Sequence, residues 1–178
     1  MDVAALLACT RCGLSSTRQR VVVGTGPERA GLMVVGEAPG RTEDEGGEPF
    51  TGRSGRLLTR LIEEEVGLLR DQYFITNVIK CRPPLNRPPR RDELLACRPW
   101  LEEQLRTQRP SVVLAVGATA AKALYGVTTS MREAHGRVAT NGDAHGVVTY
   151  HPAAALRQGR IVEDVMRTDL ALVKALLS

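Results

Sequence analysis

The chain has 178 residues, 43% of them hydrophobic and 25% charged, and a formal net charge of +4. That length suits one domain, about 100 to 200 residues being usual, so residues 1–178 read as a single domain able to bury a core without disulfide staples. No run approaches the roughly 20 apolar residues that cross a bilayer, and Met1-Asp2-Val3 leads to Cys9 with no basic segment, a poor signal peptide. We expect no membrane association and a cytoplasmic location.

Residues up to Ala8 fit a short helix. Four apolar runs of strand length follow: Leu32 to Val35, Tyr73 to Val78, Val112 to Val116 and Val147 to Tyr150. Each is near-continuously apolar, as parallel strands covered on both faces require. Helical stretches lie between and after them. Ser54 to Val66 places Leu57, Leu58, Leu61 and Ile62 on one stripe; Arg91 to Gln108 carries Leu94, Leu95, Trp100, Leu101 and Leu105; Ala118 to Leu124 is shorter. A last helix, about Val162 to Leu177, is expected to bury Val165, Leu170, Leu172, Val173 and Leu176. The alternation predicts an α/β fold, a three-layer α/β/α sandwich around a central, mainly parallel four-stranded sheet. Two segments break the pattern. Arg82 to Arg90 contains four prolines, which remove donors and fix φ, so it reads as a long, stiff, basic loop. Thr128 to Gly146 suggests an irregular hairpin around Asn141-Gly142.

The turn Gly36-Glu37-Ala38-Pro39-Gly40 follows the first strand, at the carboxyl end where open α/β sheets bind ligands. It continues through Glu43, Asp44, Pro49 and Phe50 into Gly52-Arg53-Ser54-Gly55-Arg56-Leu57-Leu58. Glycines at Gly36 and Gly40 allow a sharp turn and close approach to a ligand, and Pro39 leaves the remaining N–H groups aimed at a pocket. Taken singly, these residues read blandly. Phe50 suits a core, Glu43-Asp44-Glu45 a solvated loop, Asn77 a strand-end turn and His151-Pro152 a capped loop. Four cysteines are split as Cys9-x2-Cys12 and Cys81-x15-Cys97. Without a secretion signal they argue for metal over disulfides, and spacing alone leaves zinc and iron-sulfur equally open. Basic residues gather beside these loops, at Lys80, Arg82, Arg87, Arg90 and Arg91, at Arg53, Arg56 and Arg60, and at Arg157 and Arg160. They fit a phosphate-contacting face, although charge alone favours a solvated surface.

From about Cys9 to about Arg157 the combined pattern resembles the family 4 uracil-DNA glycosylases, enzymes that carry an iron-sulfur cluster. The resemblance implies catalytic roles for Glu37, beside the sugar and the attacking water, and for His151, donating a hydrogen bond to uracil O2. It implies a base pocket with Ala38 and Gly40 in its turn, Glu43 as a wall, Phe50 stacking on the flipped base and Asn77 reading it with one amide. The best-known uracil-DNA glycosylases have a water-positioning aspartate where this chain has Ala38, which implies a largely dissociative reaction. A base must leave the duplex to be reached. The loop after His151 is the expected wedge, with Leu156 its only sizeable apolar residue, and its alanines hint at a preference for single strands or mismatches. Cys9, Cys12, Cys81 and Cys97 would hold a [4Fe-4S] cluster that braces Arg82, Arg87, Arg90 and Arg91 against DNA, with Arg157 on the same face. The implied partner is uracil-containing DNA, single- or double-stranded, met by a monomer. Two rivals remain. Relatives that capture uracil-DNA covalently share features of Ala96 to Leu101 and Gly117 to Leu124, but the segment from Cys81 to Cys97 has no histidine and Ala38 stands where they tend to have glutamine. A noncatalytic metal-stabilised nucleic-acid-binding module would leave Glu37, Asn77 and His151 unexplained.

Overall fold

The four apolar runs all become strands and all join one sheet. A computed structural model describes residues 1–178, the side chain of Asn141 excepted. After the short helix α1 (Val3–Leu7), β1 (Leu32–Gly36) enters the interior of the sheet. Helices α2 (Arg41–Gly46) and α3 (Arg53–Val66) lead to β2 (Phe74–Asn77), and α4 (Arg91–Gln108) leads to β3 (Val112–Val116). Then come α5 (Ala118–Tyr125), α6 (Met131–Ala134), the hairpin β4 (Val138–Asn141) and β5 (Ala144–Thr149), α7 (Pro152–Gln158) and α8 (Arg160–Leu177). The strand order is β2-β1-β3-β5-β4.

The sheet has five strands where the sequence predicts four. The hairpin expected around Asn141-Gly142 adds β4, antiparallel to β5, with Asn141 opposite Ala144 and Gly142 in the left-handed region at φ 62. β1, β2, β3 and β5 are parallel, and β1, β2 and β3 are buried throughout, as their unbroken apolar runs require. The outer edge of β2 is covered by the segment Val22 to Thr25, which exchanges backbone hydrogen bonds between Thr25 and Ile75 and donates from the Val22 amide to the Lys80 carbonyl, 2.8 Å.

Alternate residues of each strand feed two cores. On one face Met33, Val35, Phe74, Val113, Ala115 and Val148 meet Leu6, Trp100, Leu101, Ala120 and Ala121 from α1, α4 and α5. On the other, Leu32, Val34, Ile75, Leu114 and Val147 meet the predicted stripe of α3 and the buried face of α7 and α8. Burying each such aliphatic side chain contributes about 1.5–3 kcal/mol, so α3 and α8 are held by packing more than by propensity. Two expected core residues face solvent: Leu95 is 57% exposed and Leu172 36%. Val165 is half-buried, while Met166 and Val162 take the inward positions of α8. No helix is long and apolar enough to cross a membrane.

The chain runs from β1 outward to β2 and then crosses back to β3 on the other side. The order reverses between β1 and β3, and the carboxyl ends of these strands splay around a crevice suited to a ligand.

Candidate active site

A cleft of about 770 Å³ opens at that reversal. Its walls come from six chain segments: Glu37 to Glu43 after β1, Phe50 to Gly55 before and within α3, Asn77 at the end of β2, Pro83 with Asn86 to Pro88 in the basic loop, Gly117-Ala118 after β3, and His151 with Arg157 after β5. Glu37, Ala38, Gly40, Glu43, Phe50, Asn77, His151, Arg87 and Arg157, all singled out from sequence, line this one cleft.

The first wall is held by a carboxylate. Glu43 accepts from the Gly40 amide at 3.1 Å and from the Gly52 amide at 2.8 Å, pinning both ends of the segment between them. The Gly40 N–H is therefore engaged by protein and does not point free into the pocket as expected. The acidic run is the short helix α2 rather than a solvated loop: Asp44 is buried and accepts from the Gln19 amide at 3.0 Å. Gly36 is required for close approach. A Cβ there would fall 2.3 Å from the Phe50 ring and 2.6 Å from the Asn77 amide oxygen. Gly55 serves Phe50 too, since its Cβ would sit 1.8 Å from the Phe50 carbonyl oxygen. Phe50 has φ 59, an uncommon conformation for a bulky residue that clusters at functional sites. It is half-buried, with its ring centroid 6.4 Å from that of His151. Across the cleft the Glu37 carboxylate accepts a hydrogen bond from Thr119 on the first turn of α5. Thr119 lies in the segment Gly117 to Leu124 noted from sequence, but nothing there marks it as a site residue. Ala38 is half-buried, with its methyl group against the core on the α5 side.

Asn77 is 2% exposed, yet among the described residues nothing hydrogen-bonds its side-chain amide. Its backbone is fixed from below. Lys80 is fully buried, and its ammonium donates to the Asn77 carbonyl at 2.5 Å, to Gln104 Oε1 at 2.6 Å and to Thr76 Oγ1 at 2.9 Å. Gln104 and Thr76 in turn donate to the Val23 carbonyl, at 2.6 and 3.0 Å. Burial pushes the Lys80 pKa down to about 8. The sequence places Lys80 in a basic group expected to face phosphates; the structure puts it inside, because the apolar run continues through Ile79 and carries the chain under the sheet edge.

His151 is the residue before α7, and its Nδ1 accepts from the Ala153 amide at 3.2 Å. A neutral ring whose Nδ1 accepts carries its proton on Nε2. Burial, then the neighbouring Arg157 charge, lower the His151 pKa to about 4, against a smaller opposing pull from Glu43. The ring is thus a neutral N–H donor, backed by Gly117, where a Cβ would lie 3.1 Å from the His151 Cβ. The other two histidines stand elsewhere: His135 Nδ1 is 3.1 Å from Asp169, and His145 is exposed on β5.

The four cysteines line one small cavity with Leu6, Arg18, Lys80 and Trp100. None is paired in a disulfide, and no three His, Cys, Asp or Glu side chains among the described residues are arranged to hold a single ion. Three sulfurs receive N–H donors: Cys9 from Trp100 Nε1 at 3.4 Å, Cys81 from Arg18 at 3.4 Å, and Cys97 from the Lys80 amide at 3.3 Å. Burial pushes the Cys81 thiol up to about 11 and raises that of Cys97.

The basic loop is more ordered than its composition suggests. Arg87 forms a two-pronged ion pair with the buried Glu93, at 2.5 and 2.9 Å, and Glu93 also caps α4 through the Arg90 amide at 2.7 Å. Arg82 donates to Asn86 at 2.7 Å. Arg90 and Arg91 are exposed and stand outside the cleft lining. Leu156 also stands outside it. The expected wedge loop is the helix α7, and Leu156 projects into a separate side cleft with Leu57, Arg60 and Arg160.

At the switch point of a mainly parallel sheet, one cleft thus brings together an unpartnered amide, a neutral imidazole and the ring of Phe50. Residues 23–171 match the uracil DNA glycosylase superfamily. The chain is 41% identical over 178 residues to the type-4 uracil-DNA glycosylase of Saccharolobus solfataricus, covering 96% of this chain and 82% of that protein. It is 42% identical over 172 residues to that of Pyrobaculum aerophilum, covering 92% and 87%, and 42% over 179 residues to that of Sulfurisphaera tokodaii, covering 96% and 81%. The chain belongs to the uracil DNA glycosylase superfamily and, within it, to the type-4 proteins.

Proposed function

We propose that the chain, working over residues 1–178 as one cytoplasmic, monomeric domain, hydrolyses the N-glycosidic bond of uracil in DNA, releasing free uracil and leaving an abasic site. The observation that carries this reading is the pairing, in one cleft, of the Asn77 amide, which reaches the cleft without a hydrogen-bond partner among the described residues, with the neutral His151 N–H. Uracil presents an acceptor at O4 and a donor at N3, which one amide matches with its NH2 and C=O on a single fork. His151 Nε2–H is then available to O2, where charge gathers as uracil leaves as an anion. A donor aimed at charge that develops in the transition state is worth more than one satisfied in the ground state. Phe50 supplies a ring face for the base. Glu37, its carboxylate steadied by Thr119, faces the sugar, stabilises its cationic character and orients water. Ala38 offers no second acid, which favours bond breaking ahead of water attack. DNA is engaged by Arg157 at the cleft and by Arg82, Arg90 and Arg91 on the outer loop, with Arg87 holding that loop in shape.

The cysteine cavity fits a cluster. Four thiols line one cavity, and N–H donors aimed at sulfur, with Arg18 and Lys80 beside them, favour thiolates over the thiols that burial would otherwise keep neutral. Cys9, Cys12, Cys81 and Cys97 would hold a [4Fe-4S] cluster whose contribution is a cross-link between the N-terminus, the strand end after Asn77 and α4. Purified protein should contain about four irons per chain, and stoichiometric zinc in their place would overturn the assignment.

Covalent capture finds no support: of the three histidines, His151 alone is among the residues that line the cleft. Release of free uracil from a labelled oligonucleotide tests the activity. Uracil retained on the protein would favour capture, and binding without either outcome would favour a noncatalytic module.

A further inference from the structure

One large apolar side chain stands almost wholly in solvent beside the cleft. Leu85 is 95% exposed, at the tip of the loop between Cys81 and α4. Exposed leucines are common, but this one is held up in three ways. Leu85 and Asn86 both adopt left-handed conformations, φ 56 and 55, which non-glycine residues seldom take without a compensating role. The tip is closed by the Asn86 amide donating to the Pro83 carbonyl at 3.0 Å, the Arg87 amide to the Pro84 carbonyl at 3.2 Å, and Arg82 Nε to the Asn86 side chain at 2.7 Å. Its base is locked by prolines on both sides and by the Arg87 ion pair to Glu93. The loop is therefore a rigid post with an apolar cap, and Pro83, Asn86, Arg87 and Pro88 of that post line the cleft.

We propose that Leu85 is the wedge that enters the base stack of duplex DNA when a uridine turns into the cleft. The inference rests on reading the cleft as a uracil site. Apolar side chains inserted between base steps stabilise an unstacked duplex, and an extruded base leaves a gap that something must fill or brace. The segment after His151 does not supply that group: it is helical, the residues it turns to the cleft are Ala153 and Arg157, neither of them a bulky apolar side chain, and Leu156 occupies the side cleft near Leu57. Leu85 has the size, the exposure, the rigid support and the surrounding arginines that a phosphate-flanked wedge requires. A side chain that only flops in solvent would need none of these braces.

The test compares full-length wild type with Leu85→Ala, Leu85→Gly and Leu156→Ala on three oligonucleotides: uracil opposite adenine, uracil opposite guanine, and uracil in a single strand. Leu85→Gly keeps the left-handed tip without strain and removes only the side chain, so loop shape and wedge are separated. Both Leu85 variants should slow excision opposite adenine about tenfold, less opposite guanine where pairing is weaker, and change single-strand excision by less than about twofold. Leu156→Ala should leave all three rates unchanged. Fluorescence of a 2-aminopurine placed beside the uracil should rise on binding of wild type and rise less with the Leu85 variants. Equal losses on single and double strands, or duplex excision at the wild-type rate, would overturn the wedge while leaving the uracil site standing. A wild-type protein that releases no uracil from any of the three would overturn both.

Discussion

The ends of β2 and β5 deliver Asn77 and His151 to the same cleft, and the two are fixed by opposite means. Asn77 is held through its backbone by a buried ammonium, itself shared among Asn77, Thr76 and Gln104. His151 is held through its own ring by the amide two residues on, at the first turn of the helix it starts. The first arrangement draws on three elements and a buried charge, so it resists displacement and leaves the amide side chain free to choose a partner. The second is local, and it fixes the proton on one nitrogen as well as the direction of the ring. Support from distant elements leaves a side chain free to turn to a ligand; support from a neighbouring amide sets the ring and its proton together.

Removing His151 should give the largest effect. His151→Ala should lower kcat by about 10²–10³ while changing substrate binding little, since its partner charge appears only as the bond breaks. Single-turnover rates at saturating oligonucleotide measure this, and near-normal turnover would remove the ring from the chemistry. Asn77→Asp comes next. A carboxylate still accepts from uracil N3–H but turns a second acceptor toward O4, and that buried mismatch costs about 1–3 kcal/mol, so uracil excision should fall at least about tenfold while some cytosine excision can appear. Wild-type uracil excision by this variant would show that the amide does not read the base.

Lys80→Met tests the supported strand end itself. It keeps length but removes the donor from Gln104 Oε1 and the Asn77 carbonyl, so thermal stability should drop and KM should rise more than kcat falls; Lys80→Arg should not restore KM, because the added bulk has no room in a fully buried site. If kcat fell alone, the buried ammonium would belong to the chemistry rather than to the support. The His151 end predicts a pH signature. The folded ring takes up its proton near pH 4 and the unfolded one near 6.5, so between these values the unfolded chain binds more protons and stability rises with pH, levelling above the window. Denaturant midpoints between pH 4 and 8 would show this, and it should disappear in His151→Ala. The smallest effect belongs to the exposed arginines: replacing Arg90 and Arg91 by Ala should reduce the slope of log binding against log salt by about 1 for each phosphate no longer neutralised.

Sequence showed the frame and most of the pocket, for a physical reason. Parallel strands buried on both faces leave unbroken apolar runs, and the residues after them, Glu37, Asn77 and His151, fall at one end of the sheet by topology alone. The fifth strand was half legible: Val138 to Asn141 is short, and it pairs only because Gly142 permits the turn. What stayed hidden was support. Nothing in the local pattern separates Lys80 from Arg82, although one is fully buried and the other half-exposed; the difference lies in Gln104, 24 residues further along. Thr119 was invisible for the same reason, its partner Glu37 being 82 residues away. The acidic run misled as well, since Asp44 lies buried as a brace for a backbone amide.

The crowding around Gly36 constrains how this pocket can change. Any side chain added there would meet the Phe50 ring and the Asn77 amide oxygen at 2.3 and 2.6 Å, and Phe50 in turn depends on Gly55 being bare. Four positions on three chain segments therefore occupy a single shared volume, in which no one residue can grow unless another shrinks. Substitutions at these positions should be strongly non-additive, and a lineage adapting the cleft to a larger or differently shaped base would have to cross through poorly folded single variants or alter several positions together.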